Sequence, residues 1–248
     1  SLVYTQQEQT ALVASVSAGT LTVPEGSYEV TGNKGTNVGT YTATITGKGN
    51  FKGSVTAQFS IVADAEAVLV MTLDATEYVY DGTEKKPAVT VKNGETVLVE
   101  GTDYTLAYAN NVNAGTAKVT ATGKGNYAST KTVEYTIKKA QLTIKVDDAQ
   151  VICGKEAPQY EVSYEGFVAE ETKDVLEGTL TITCDYTKES PAGSTYDITP
   201  SGLTSKNYDI TFVPGKLTVL VDQAAVDQAA ADDVMGKITA IGEVAYNE

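Results

Sequence analysis

Apolar and polar residues alternate with a period of two along most of the chain. Tyr41, Ala43 and Ile45 share one face, as do Val55, Ala57, Phe59 and Ile61. The same parity groups Tyr104, Leu106 and Tyr108, then Ala117, Val119 and Ala121, then Val133, Tyr135 and Ile137. Past residue 140 it groups Leu142, Ile144 and Val146; Tyr160, Val162 and Tyr164; Leu180, Ile182 and Cys184; Tyr208, Ile210 and Phe212; and Leu217, Val219 and Val221. Thr and Lys fill the opposite positions. A period of two predicts strands, and one-sided alternation predicts antiparallel sheets with one wet face. Short runs punctuated by Gly and Asn turns predict small sandwich-like modules.

Two stretches leave this pattern. Val168, Thr172, Val175 and Leu176 have helical spacing, which predicts a short helix there. A helix crossing an antiparallel sheet would make that module β-grasp-like, the alternative fold for this part. From Asp222 the chain is Ala-rich, with Asp222 as N-cap candidate. Val226, Ala230, Val234, Ile238 and Ile241 form one helical stripe. Such a stripe needs a partner, so it predicts the first helix of a further helical module.

An internal repeat organises the rest. Asn37-Val38-Gly39-Thr40 through Thr46-Gly47-Lys48-Gly49-Asn50-Phe51 returns as Asn113-Ala114-Gly115-Thr116 through Thr122-Gly123-Lys124-Gly125-Asn126-Tyr127. The offset is 113 − 37 = 76, and it needs no gap over residues 4–61 and 80–137. In a third, diverged copy Cys153-Gly154 stands for Asp81-Gly82 and Ala192-Gly193 for Ala114-Gly115. The landmarks are 193 − 154 = 39 apart, against 115 − 82 = 33, so about six extra residues fall in 167–176. The expected division is 1–63, 64–138 and 139–221 for three β modules, and 222–248 for the helical tail. The opening strand of module two, over Val68, Val70 and Thr72, has its counterpart ahead of residue 1, so module one is expected to be clipped. The junctions at 62–67 and at 137–140 are short, which predicts a semi-rigid rod.

These residues resemble known families. Residues 140–221 resemble MBG repeats of bacterial surface proteins, through Leu142-Thr143-Ile144, Tyr164-Glu165-Gly166-Phe167, 193–203 and Asn207-Tyr208-Asp209-Ile210 to Val219. Cys153-Gly154 departs from the family's usual Tyr-Gly. Residues 77–137 are similar to Tyr-Asp-Gly repeats, through Tyr80-Asp81-Gly82-Thr83 and Asn110 to Thr116. The tail resembles the opening of three-helix modules in Gram-positive surface proteins. The resemblance implies an extracellular, secreted or cell-wall-attached multidomain protein.

Composition narrows the chemistry. The 248 residues carry 18 Lys+Arg and 32 Asp+Glu, a net charge of −14, and contain no His, Arg or Trp. Imidazole bases, His-dependent relays and His-ligated zinc are excluded. The negative charge argues against nucleic acid and against anionic lipid. No run is long and apolar enough to span a membrane as a helix.

The remaining candidates have plain readings. The Gly-Lys-Gly-Asn stretches at 47–50 and 123–126 lack the P-loop pattern and read as hairpin turns. Cys153 and Cys184 read as two buried or semi-buried thiols, with a disulfide as the alternative. Asp147-Asp148, or Asp64 with Glu66, offer too few oxygens for calcium. A Lys–Asn isopeptide bond needs a core lysine, whereas these lysines fall mostly on wet faces and turns. Of Tyr28, Tyr104, Tyr164, Tyr196 and Tyr208, most face inward by alternation, which favours core packing over sugar stacking.

The resulting expectation is an all-β chain of three tandem small antiparallel β-sandwich (Ig-like) modules with a C-terminal helix. Its expected role is a non-enzymatic extracellular spacer, with an adhesin-type module binding host glycan or matrix protein as the alternative. No catalytic, cofactor-binding or metal residue is nominated, and a monomer is expected.

Overall fold

A computed structural model describes residues 1–244, with side chains through Met235. The first repeat supplies β1 (Leu2–Val3), β2 (Gln9–Thr10), β3 (Ser17–Ala18), β4 (Leu21–Thr22), β5 (Tyr28–Thr31), β6 (Lys34–Gly35), β7 (Gly39–Gly47) and β8 (Ser54–Val62). The second supplies β9 (Leu69–Leu73), β10 (Glu77–Val79), β11 (Val89–Asn93), β12 (Thr96–Val97), β13 (Tyr104–Ala109), β14 (Gly115–Gly123) and β15 (Thr130–Lys138). The third supplies β16 (Ala140–Val146), β17 (Ala149–Ile152), β18 (Val162–Glu165), β19 (Glu177–Thr183), β20 (Thr195–Thr204), β21 (Tyr208–Val213) and β22 (Gly215–Leu220). Helix α1 (Gln223–Val244) follows. The all-β class therefore holds, with one α-helix among the described residues.

Packing divides the chain into two compact units. The first is Ser1–Tyr78 with Glu84–Ile137, and the second is Val79–Thr83 with Lys138–Glu248.

In the first unit the two repeats build the same main sheet, ordered β1-β8-β7-β5 and β10-β15-β14-β13. Register repeats with the sequence: Thr40 faces Ser60 as Thr116 faces Thr136, and Tyr28 faces Gly47 as Tyr104 faces Gly123. The gapless alignment fails in one hairpin. Ser17 pairs with Thr22 in the first repeat, whereas Lys92 pairs with Val97 in the second, an offset of 92 − 17 = 75. The slip is absorbed by the loop before β5, which runs from Gly26 to Tyr28 in one copy and from Gly101 to Tyr104 in the other. Val16 is thus the structural equivalent of Val91, and Val23 of Leu98, which the bonds from Val23 N–H to Val16 O (2.8 Å) and from Leu98 N–H to Val91 O (2.9 Å) confirm.

The second repeat closes its core with a second sheet, β12-β11-β9. Leu69, Val91, Leu98, Tyr104, Ala121 and Tyr127 are buried together, with Met71 and Val89 packed against them. The first repeat has only the short β3–β4 hairpin and β2–β6 on that side.

The second unit holds sheets β18-β16-β21 and β17-β22-β20-β19. Ten-residue β20 serves two partners, pairing through residues 195–198 with β22 and through 199–204 with β19. Val146, Val151, Ile198, Leu217 and Val219 form a core between them. The sheets are mixed rather than purely antiparallel. β1 runs parallel to β8, β16 to β21 and β17 to β22. A module's early strands lie beside its late ones, and the intervening strands provide the long crossover that parallel pairing needs.

The short helix expected near 168–176 is reduced to a single 3-10 turn, Lys173–Val175, begun by the Thr172 hydroxyl. Ala169 (φ 51°) and Glu170 (φ 61°) are left-handed and stop any longer helix. Asp222 caps α1 as expected, accepting from Ala225 N–H at 3.2 Å. Val226 and Val234 are exposed, so the described part of the stripe is uncovered. The side chains of Ile238 and Ile241 lie outside the described residues.

Gly123 ends β14 where the turn folds back hardest. A Cβ there would lie 2.9 Å from Ser129 O and from Tyr127 C. Gly123→Ala is therefore expected to lower stability by about 1–3 kcal/mol through overpacking. Gly39→Ala, whose Cβ would meet only Tyr41 Cε2 at 3.8 Å, is expected to be near neutral. Urea melts of both variants check this.

Candidate functional site

The Gly-Lys-Gly-Asn stretches are hairpin turns in both copies. Gly47 N–H bonds Gly53 O at 3.0 Å, and Gly123 N–H bonds Ser129 O at 2.8 Å. Gly49 (φ 65°) and Gly125 (φ 64°) take the left-handed position that the turn requires. Neither turn opens a helix, so neither presents the stacked N–H groups of a phosphate loop.

The second turn has acquired a further role within the first unit. Asn126 Oδ1 accepts from Val38 N–H at 2.9 Å, and its Nδ2 donates to Asn37 Oδ1 at 3.2 Å. Asp64 N–H donates to Asn126 O, and Ala128 N–H to Asp64 O, both at 3.0 Å. Tyr127 meets Tyr4 edge-on, with ring centroids 5.6 Å apart. Gln6, itself left-handed at φ 65°, accepts from the Thr96 hydroxyl at 2.8 Å. The stretch 62–67 is therefore not a free linker but is stitched to the second repeat's turn. Burial, and then Tyr4, push the Tyr127 phenol up to about 12.

A second polar cluster lies in the second unit. Glu171 accepts from the Tyr80 hydroxyl at 2.5 Å through one oxygen and from the Tyr208 hydroxyl through the other. Tyr208 in turn accepts from Val168 N–H at 3.0 Å. Its ring stands edge-on to Tyr80 at 5.7 Å and to Phe167 at 5.4 Å. The left-handed pair Ala169–Glu170 turns the chain so that Glu171 reaches the phenols. Burial, and then Glu171, push Tyr80 up to about 12 and raise Tyr208. This loop lies in the stretch to which the six extra residues were assigned.

A third cluster holds an exception to the lysines' mostly exposed placement. Lys85 and Asn111 are both buried. Lys85 N–H donates to Asn111 O at 2.6 Å, Asn111 Nδ2 to Lys85 O at 3.4 Å, and the Tyr135 hydroxyl to the same oxygen at 2.6 Å. The arrangement fastens three chain segments together.

The acidic candidates serve the backbone. Asp64 Oδ1 accepts from Glu66 N–H at 3.0 Å, and Asp148 Oδ1 from Lys216 N–H at 2.8 Å. Asp147 lies 3.8 Å from Lys145 Nζ. Among the described residues no group of three or more Cys, Asp or Glu converges as a metal site. Cys153 and Cys184 are unpaired, partly buried thiols beside the second unit's core. Cys153 Sγ lies 3.4 Å from Ser190 O, while Tyr160, beside Cys184, is pushed up to about 12 by burial and then by that thiol. Of these five tyrosines, Tyr104 and Tyr208 are buried and Tyr28, Tyr164 and Tyr196 half-buried. No helix among the described residues is long and apolar enough to cross a membrane.

A family model described as the MBG domain (YGX type) matches residues 142–218. The match supports the resemblance of this stretch to MBG repeats. No curated protein matches the chain. Solved structures with partial similarity include protocadherin gamma B2 extracellular cadherin domains 3–6 (10% identity, TM-score 0.21). They also include protocadherin gamma B7 domains 3–6, a cis-dimer structure (11%, 0.21), and the protocadherin gamma B4 extracellular domain (12%, 0.20). Each alignment covers 73% of this chain, and 56%, 58% and 38% of the respective structures.

The Asn126–Tyr127 turn is what makes one unit of two repeats. Tyr4→Ala combined with Asn126→Ala removes the ring contact and both side-chain hydrogen bonds to Asn37 and Val38. In the native chain, NMR relaxation is expected to give residues 1–62 and 84–137 one common tumbling time. The double variant is expected to give two.

Proposed function

We propose that the chain is a non-enzymatic, extracellular spacer segment of a bacterial surface protein. One observation carries this reading: the side chains that offered chemistry in the sequence hold the fold together instead. The Gly-Lys-Gly-Asn turns close hairpins, and one of them joins two repeats. Glu171, which the sequence did not single out, likewise has both oxygens engaged by phenols. Asp64 and Asp148 cap backbone N–H groups. The MBG match over 142–218 and the resemblance of the preceding repeats support the extracellular setting.

The mechanism is mechanical. The first two repeats fold as one unit, and the stitched junction at Asp64 and Asn126 restricts bending between them. The net charge of −14 favours solubility and opposes self-association. A spacer needs no ligand. On a glycan array and a panel of matrix proteins such as collagen and fibronectin, the chain is expected to show no saturable binding. Saturable binding that is lost on substituting one loop cluster contradicts the spacer and establishes an adhesin.

A further inference from the structure

The first repeat carries an open apolar groove of about 480 Å³. Its walls are the strip Ala11–Ser17 on one side and Ala43, Ile45, Val55, Ala57 and Phe59 of β7 and β8 on the other. A second cavity of about 240 Å³ continues it, sharing Val16, Ser17, Ile45 and Val55 and reaching Val23, Tyr28 and Phe51. Val55 is 58% exposed, and Leu12 beside the groove is 91% exposed. These are apolar side chains of a sheet face that ordinarily lies under a second layer.

The second repeat shows what that layer is. There β9 pairs antiparallel with β11, from Val89 opposite Leu73 to Asn93 opposite Leu69. Leu69 is buried among Leu98, Tyr104 and Tyr127. Their equivalents in the first repeat are Val23, Tyr28 and Phe51, which line the smaller cavity. Met71 lies opposite Val91, whose equivalent Val16 lines both cavities. Burial follows the cover at Val16, Tyr28 and Phe51, though not at Val23, which is 6% exposed against 4% for Leu98. Val91 is 0% exposed and Tyr127 4%, whereas Val16 and Phe51 are only half-buried.

We infer that this groove is a strand-accepting site. Its occupant is an extended peptide strand with alternating apolar side chains, of the kind found in β9, added antiparallel to Ala14–Ala18. Backbone N–H and C=O groups of that strip supply the ladder, and the two cavities take the inward side chains, as in other β-augmentation. A residue of the Leu69 type seats in the smaller cavity, and residues of the Met71 and Leu73 type seat in the larger. The inference is independent of the spacer reading, since it rests on the difference between two copies of one module.

The test titrates a synthetic peptide copying Ala67–Asp74 into the 248-residue chain. Saturable 1:1 binding is expected, with amide exchange at Ala14–Ala18 slowed about tenfold or more at saturation. A peptide with Asp in place of the three inward residues is expected not to bind, nor is the native peptide to bind a Val16→Asp chain. Unchanged exchange in β14, β15 and β20 shows that the variant is folded. A graft of Ala67–Thr76 joined directly ahead of Ser1 is expected to give the same protection without a free peptide. Absence of saturable binding and of graft protection overturns the inference, as does equal binding of both peptides or protection located elsewhere. Concentration-dependent self-association that Val16→Asp abolishes, with no binding of the peptide, assigns the groove to a second copy and also overturns it.

Discussion

A one-sided sheet has to be covered. Strict alternation along β7, β8, β14 and β15 puts every second side chain on one face, and that face is stable only under another apolar layer. A module of this size has few residues left to build the layer after its main sheet is made. The second repeat manages it with β9, β11 and β12, and its core residues Val91, Ala117, Val119 and Ala121 are fully buried. The first repeat has the same main sheet in the same register and lacks the strand that corresponds to β9 among its described residues. The difference between the copies follows from that single missing layer.

Polar groups act at the margins of the cores rather than at a catalytic centre. Asp64 donates to Asn126 O and accepts from Ala128 N–H, and the Asn126 side chain bonds Val38 and Asn37, which fixes the second repeat's turn against the first repeat. Glu171 satisfies two buried phenols that would otherwise be orphaned donors. Lys85, Asn111 and Tyr135 tie three segments through backbone groups. These bonds come from residues far apart in sequence, so each closes a long loop and resists shear between segments. Surface ion pairs such as Lys34–Glu8 and Lys48–Glu29 are solvated and contribute little.

Most strands were legible because a period of two is a local signal. The repeat was legible because Gly and Asn recur wherever a turn needs positive φ. The one-residue slip at the β3–β4 hairpin was not, since a deletion before Tyr28 cancels an insertion before Val16 and leaves the flanking landmarks at offset 76. Parallel pairing of β1 with β8 depends on which distant strand lies alongside, which alternation does not encode. Asn126 reads as an ordinary turn residue, and only its position against Asn37 and Val38 reveals the joint. Glu171 was hidden for a different reason: helical spacing at Val168, Thr172 and Val175 suggested a helix, but Ala169 and Glu170 adopt the left-handed region and turn the carboxylate toward Tyr80 and Tyr208. Lys85 escaped notice because a lysine is expected on the wet face, and its burial depends on partners brought in from β15 and the Asn110–Asn111 turn.

Native-state hydrogen exchange along the two main sheets tests the central claim most directly. Amides of β7 and β8 can be compared one for one with those at the same register in β14 and β15. If cover decides stability, Ala43, Ile45 and Phe59 exchange faster than Val119, Ala121 and Tyr135, at matched intrinsic rates. Equal protection in the two copies would contradict the account, because it would mean that the strand layer over the second repeat contributes nothing to holding its sheet closed.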